Sequence, residues 1–174
     1  MTVQVVLIGL PGAGKSTTGR RLAKLLAVAF ADTDDLNEQR AGRTVREIFG
    51  QDGEAEFRRI EADVISSALR DFDGVLALGG GALTTASTRE SLAASGIPVV
   101  LLTAPVATLV ARVGDGSSRP LLAEDPPARL AELAAEREPV YRRAATFTVQ
   151  TEFRTPSQVA AHVAARVHSK VVRP

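Results

Sequence analysis

Eight residues near the N-terminus, Gly9-Leu10-Pro11-Gly12-Ala13-Gly14-Lys15-Ser16, constrain this chain more than any other stretch. They follow the short β-branched run Val3 to Ile8 and precede Leu22, Leu25 and Leu26, which lie at helical spacing. The pattern therefore reads as a buried strand, a tight glycine turn and a helix. The spacing G-x-x-x-x-G-K-S in that setting is a phosphate cradle. Backbone N–H groups from Gly12, Ala13, Gly14, Lys15, Ser16 and Thr17 turn toward phosphate oxygens, and the helix N-terminus adds its partial positive charge. Lys15 then reaches the β- and γ-phosphates, and the Ser16 hydroxyl is a ligand for Mg²⁺. Chance would produce the four fixed positions in roughly one chain in a hundred of this length. Nucleotide binding follows, but the loop does not separate a kinase from an ATPase or a switch.

The rest of the chain repeats the strand-then-helix design. Short apolar runs at Ala29 to Ala31, Gly74 to Leu78, Pro98 to Thr103 and Phe147 to Val149 alternate with helical patterns. Those helices are expected over 34–40, 44–49, 53–70, 87–94, 106–113, 128–138 and 156–167. Alternation of this kind predicts an α/β fold, with a mostly parallel sheet covered on both faces. The stretch 114–127, rich in Gly, Ser, Asp and Pro, is expected to be an exposed mobile loop.

Composition removes several function classes. There is no cysteine among the 174 residues, so thiol nucleophiles and Cys-ligated metals are excluded, and a reducing, cytoplasmic setting is expected. A net charge of +1 supplies no basic surplus for nucleic acid or a membrane surface, and neither is expected as a partner. No apolar run approaches the roughly 18 residues of a membrane span. Of 21 basic residues only Lys15, Lys24 and Lys170 are lysines, a bias toward arginine that the totals do not explain.

Two further features converge on the carboxyl ends of the strands, where doubly wound sheets bind ligands. Asp32 and Asp34 are two apart, so both carboxylates face one side if the chain is extended there. The plainer alternatives are a helix cap for Asp34 and a solvated turn for Asp32. Gly79-Gly80-Gly81 ends the strand 74–78 and is either a flexible turn or a place where ligand and backbone meet closely. Arg58 reads on its own as an exposed helix residue paired with Glu54 and Glu61, and Arg137 as a solvated charge beside Glu136 and Glu138.

The phosphate loop, Asp32-Thr33-Asp34, Phe57-Arg58 with Glu61, Gly79-Gly80-Gly81, Arg119-Pro120-Leu121-Leu122 and the stretch Arg137 to Tyr141 occur in an order and spacing that resemble shikimate kinase over residues 3–165. That resemblance implies a P-loop NTPase fold: a three-layer α/β sandwich around a five-stranded, mostly parallel sheet, with a mobile lid. One domain over 1–170 is implied, with an acceptor-binding region at 33–61, a lid at 114–126 and a tail at 171–174. It implies transfer of the γ-phosphoryl of ATP to the 3-hydroxyl of shikimate, with Mg²⁺ held by Ser16 and Asp32. The chain is expected to be a monomer with small-molecule partners only.

Residue by residue, the resemblance makes Asp34 the acceptor-hydroxyl residue and candidate base, and Lys15 and Arg119 the groups that stabilise charge on the transferring phosphoryl. Arg58 and Arg137 become a carboxylate clamp, with Glu61 holding Arg58. Phe49, Phe57 and Gly79 to Gly81 wall the acceptor pocket, and Arg112, Arg154 and Pro156 lie against adenine. Another small-molecule P-loop kinase, such as gluconate kinase, or a nucleotide-dependent switch are the alternatives.

Overall fold

The computed structural model describes residues 3–114 and 125–171. Along the chain run β1 (Val3–Ile8), α1 (Lys15–Leu26), β2 (Ala29–Asp32), α2 (Thr33–Ala41), α3 (Val45–Asp71) and β3 (Gly74–Ala77). A 3-10 turn at Ala82–Thr84 leads to α4 (Ala86–Ser95), β4 (Val99–Thr103), α5 (Val106–Val113), α6 (Pro126–Ala144), β5 (Phe147–Gln150) and α7 (Pro156–Val171). The segment expected to form the lid lies, apart from its first and last two residues, outside the described residues, and so does Arg119.

The strands form one sheet in the order β2-β3-β1-β4-β5, and every neighbouring pair is parallel. Parallel strands need crossovers long enough to hold a helix, which is why each strand is followed by one. Side chains alternate across the sheet. Val5, Leu7, Val75, Ala77, Val100 and Leu102 point into a core shared with α1, α5 and α7. Val6, Ile8, Leu76, Leu78, Val99 and Leu101 point into a second core shared with α3 and α4. The inner strands β1, β3 and β4 read as nearly continuous apolar runs because both their faces are buried, whereas the edge strand β5 alternates buried and exposed residues.

The helices expected at 44–49 and 53–70 are both present within the span α3, which Gly53, at a non-helical φ of 83°, divides into two. Thr44 caps its start with a reciprocal box: its hydroxyl accepts from the Glu47 N–H while Glu47 accepts from the Thr44 N–H. Helix α6 does not stop at 138 but continues through Pro139 to Ala144. Proline at 139 removes one donor to the previous turn, the reason to expect a break there. The helix continues because Leu130, Leu133, Arg137 and Tyr141 form a buried stripe whose packing outweighs one lost bond. Leu130 and Leu133 belong to the first core and Tyr141 to the second, so α6 crosses over the rim of the sheet.

Leu7 sits on the central strand and is completely buried. Leu7→Ala is expected to lower unfolding free energy by roughly 2–5 kcal/mol, read by urea denaturation. A loss below about 1 kcal/mol would mean that the two cores close around the site without it.

Candidate active site

The phosphate loop turns directly from β1 into α1. Gly14 caps α1 in the left-handed region at φ 91°, and no side chain caps the helix. The first-turn N–H groups are thereby left for a ligand rather than for the protein's own side chains. The Lys15 ammonium folds back over the loop and donates to the carbonyls of Gly9 at 2.8 Å and Leu10 at 3.2 Å. Arg112, from α5, donates to the Gly12 carbonyl at 3.3 Å and to Thr151 at the end of β5, linking the loop to the far edge of the sheet.

Asp32 ends β2 and lies beside the loop. The Ser16 hydroxyl donates to its Oδ2 at 2.5 Å, while its Oδ1 accepts from the Asp34 N–H at 3.1 Å. Asp32 is therefore the N-cap of α2 and Asp34 lies in its first turn, the reverse of the plain alternative expected for Asp34. The chain has already turned helical at Thr33, so the two carboxylates are not set side by side by strand alternation. Ser16 and Asp32 together present the hard oxygen donors that Mg²⁺ takes. Among the described residues no group of three or more His, Cys, Asp or Glu side chains could hold a metal by itself. A Mg²⁺ ion there would need phosphate and water oxygens to complete its shell, as is usual for that cation.

The glycine triplet is where the residues expected to bind the acceptor meet. A Cβ at Gly79 would stand 2.7 Å from both the Asp34 Oδ1 and the Glu61 Oε1. At Gly81 it would lie 2.1 to 2.5 Å from the Arg58 guanidinium, and at Gly80 3.3 Å from Pro11 and 3.4 Å from an Arg137 nitrogen. The triplet is thus a close approach of backbone and charged side chains, which only glycine allows. It is also held in place. The Gly79 N–H donates to the buried Thr33 hydroxyl at 2.9 Å, and the Tyr141 hydroxyl donates to the Gly80 carbonyl.

Arg58 pairs as its spacing predicts, donating to Glu61 at 2.6 Å and Glu54 at 3.2 Å. It is not the exposed helix charge that spacing alone suggests, because Glu61 is 1% exposed and Arg58 lies over the Phe57 ring. Phe57 stacks at 4.7 Å on Phe49, forming an aromatic wall behind the guanidinium. Arg137 is more deeply placed and buried, since α6 turns it inward rather than to solvent. The Nε atoms of Arg58 and Arg137 and the Glu61 Oε1 are buried without a hydrogen-bond partner, so polar groups crowd here with their bonding capacity unfilled. By contrast Arg154 is exposed and bonds the Gln150 carbonyl at 2.7 Å, and Pro156 opens α7.

Burial pushes the Glu61 carboxyl above the usual carboxylate range. Arg58 opposes that rise by charge and hydrogen bond, Asp34 adds to it by repulsion, and Arg137 opposes it. Two residues of this site carry no legible signal in the sequence. Thr33 is a small polar residue between two aspartates, and Tyr141 would pass for core.

The folded chain keeps a proton on Glu61 to higher pH than the unfolded chain, whose reference value is 4.5. Folded protein therefore binds more protons in the window between the two values, and stability falls as pH rises through it. Glu61→Gln has no such proton to lose. Its urea midpoint is expected to fall less than the parent's as pH rises above 4.5, and equal slopes would contradict this.

The family model described as shikimate kinase matches residues 11–168. A shikimate kinase of Mycobacterium avium is 52% identical over 168 residues, 96% of this chain and 94% of that protein. One from Mycobacterium tuberculosis is 51% identical over the same length and shares. Among solved structures, a shikimate kinase from Acinetobacter baumannii in complex with shikimate superposes with a TM-score of 0.93 at 36% identity, covering 99% of this chain and 96% of that one. A gluconokinase from Sinorhizobium meliloti, at a TM-score of 0.59 and 15% identity over 98% of this chain and 95% of its own, shares the fold alone. With half of its residues shared along nearly its whole length, and with the matched region spanning both the acceptor pocket and most of the phosphate loop, this chain belongs to the shikimate kinase family.

Proposed function

We propose that this enzyme transfers the γ-phosphoryl of ATP to the 3-hydroxyl of shikimate, giving shikimate 3-phosphate and ADP. The observation that carries the acceptor is the pocket at Gly79 to Gly81, where the buried Arg137, the half-buried Arg58 and a carboxylate gather one strand away from the phosphate loop. A small anionic polyol needs that combination: a fork for its carboxylate and a carboxylate for its reacting hydroxyl. A relative whose structure holds shikimate supports the same acceptor.

In the transfer, the acceptor oxygen bonds to the γ-phosphorus as the bond from that phosphorus to the bridging oxygen of ADP breaks. Asp34 accepts the hydroxyl proton, or orients the hydroxyl so that its lone pair faces phosphorus. Lys15 and the first-turn N–H groups of α1 stabilise the charge that builds on the phosphate oxygens. Arg58, held by Glu61 and backed by Phe57 and Phe49, grips the acceptor carboxylate with Arg137 from the opposite side. Ser16 and Asp32 would hold Mg²⁺, which when bound neutralises phosphate charge.

Arg112 joins the phosphate loop to β5, which supports a nucleotide base lying along that edge near Arg154 and Pro156. Arg119 enters the proposal on the resemblance alone, as do the lid and tail boundaries. A monomer in the cytoplasm completes the reading. No helix among the described residues is long and apolar enough to cross a membrane.

The deciding assay is release of ADP from Mg·ATP with and without shikimate. Equal rates would end the kinase reading. A rate that responds to gluconate instead would shift it to that alternative. Lys15→Ala and Asp34→Asn are each expected to lower kcat by about 10²-fold or more in the same assay. Arg58→Lys loses the fork but keeps the charge, so shikimate KM is expected to rise about tenfold with ATP KM little changed. Unaltered shikimate saturation in that variant would remove Arg58 from the clamp.

A further inference from the structure

Tyr141 takes no part in the chemistry just described, yet it is the residue that ties α6 to the acceptor pocket. It is 3% exposed and lies one helical turn beyond Arg137, on the same face of α6. Its hydroxyl donates to the carbonyl of Gly80, the middle residue of the triplet. The same Gly80 approaches Arg137, whose nitrogen would stand 3.4 Å from a Cβ there. Gly80, the phenol and the guanidinium thus meet at one point where α6 crosses the rim of the sheet.

We propose that Tyr141 is a positioning residue for substrate binding: its hydroxyl sets the Gly80 peptide and the Arg137 fork in one geometry before shikimate arrives. This rests on the acceptor assigned above. Arg137 is a long side chain two residues before Pro139, and its Nε is buried without a partner, so the helix does not by itself fix where the fork points. The triplet has no side chains with which to hold its own conformation. One bond from a rigid aromatic ring constrains both, and a preorganised fork binds its carboxylate without first being ordered. Burial pushes the phenol above its ordinary range while Arg137 beside it opposes the rise, so the hydroxyl stays protonated and remains a donor at neutral pH. Thr33 holds the neighbouring residue from the other side through the Gly79 N–H, leaving Gly80 as the peptide that Tyr141 controls.

Tyr141→Phe keeps the ring and removes the bond. Shikimate KM is expected to rise about tenfold, the order of one lost buried hydrogen bond, while ATP KM and kcat stay within about twofold. The effect runs through the fork, so in an Arg137→Lys background the same change should raise shikimate KM less than about twofold. A wild-type shikimate KM in Tyr141→Phe, an equal rise in the KM values for ATP and shikimate, or full additivity with Arg137→Lys would each overturn the proposal.

A second measurement needs no substitution at all. The chain has one tyrosine and no tryptophan, so protein grown with 3-fluorotyrosine carries a single fluorine reporter, at Tyr141. Shikimate should shift that fluorine resonance saturably, and Mg·ADP alone should leave it within its linewidth. A resonance unmoved by saturating shikimate overturns the proposal even if the Tyr141→Phe protein fails to fold. Wild-type protein without shikimate-dependent ADP release would remove the acceptor and this inference together. Normal wild-type turnover with an unchanged variant removes the inference alone.

Discussion

The parallel pairing of β1 with β3 is the contact on which the site depends. Leu7 lies opposite Ala77, and the Leu78 N–H continues the ladder by donating to the Leu7 carbonyl at 3.0 Å. Because the strands run the same way, both end on one rim, and each ends in glycine. The phosphate loop and the triplet therefore emerge side by side. β2 pairs with β3 on the outer side and delivers Asp32, Thr33 and Asp34 to the same rim. The phosphate loop, the aspartate pair and the glycine triplet are neighbours because three strand ends are neighbours.

What gathers on that rim is a dense set of charges in a chain whose total charge is nearly zero. A carboxylate as buried as Glu61 is costly to ionise, and its partner Arg58 offsets that cost with a short charged hydrogen bond. The arrangement tolerates the crowding because the triplet contributes backbone and no side chains. Most remaining arginines are solvated. Arg59, Arg129 and Arg142 pair with acidic neighbours one turn away on exposed helix faces, where each pair is worth a fraction of a kcal/mol, of order 0.5. Among the described residues the arginines thus divide into Arg58 and Arg137 beside the glycine triplet, four in surface ion pairs (Arg43, Arg59, Arg129 and Arg142), and others on exposed faces.

Much of this was legible without coordinates, and the misses have physical causes. The inner strands β1, β3 and β4 read correctly because strands buried on both faces are nearly unbroken apolar runs, while the edge strands β2 and β5 read from shorter runs of which neither is buried on both faces. The phosphate loop read correctly because its geometry is local. The end of α6 did not, since proline is a strong local stop signal and the buried stripe that overrides it is a tertiary fact. Asp34 looked like a cap because a helix start is uncertain by a residue or two, and Asp32 takes that part instead. Arg58 and Arg137 looked like solvated charges because pairing with Glu at helical spacing says nothing about which way the helix faces.

The sequence by itself determined the local devices: a strand, a glycine turn and a helix whose N-terminus no side chain caps, and alternating elements that form an α/β sheet. These depend on residues within a few positions of one another. Only the tertiary structure decided which side chains gather around the glycine triplet. Thr33, Asp34, Arg58, Glu61, Gly79 to Gly81, Arg137 and Tyr141 come from four separate segments, brought together by strand order and helix rotation. Strand order follows from the packing of two whole cores, and no short stretch of sequence carries that information.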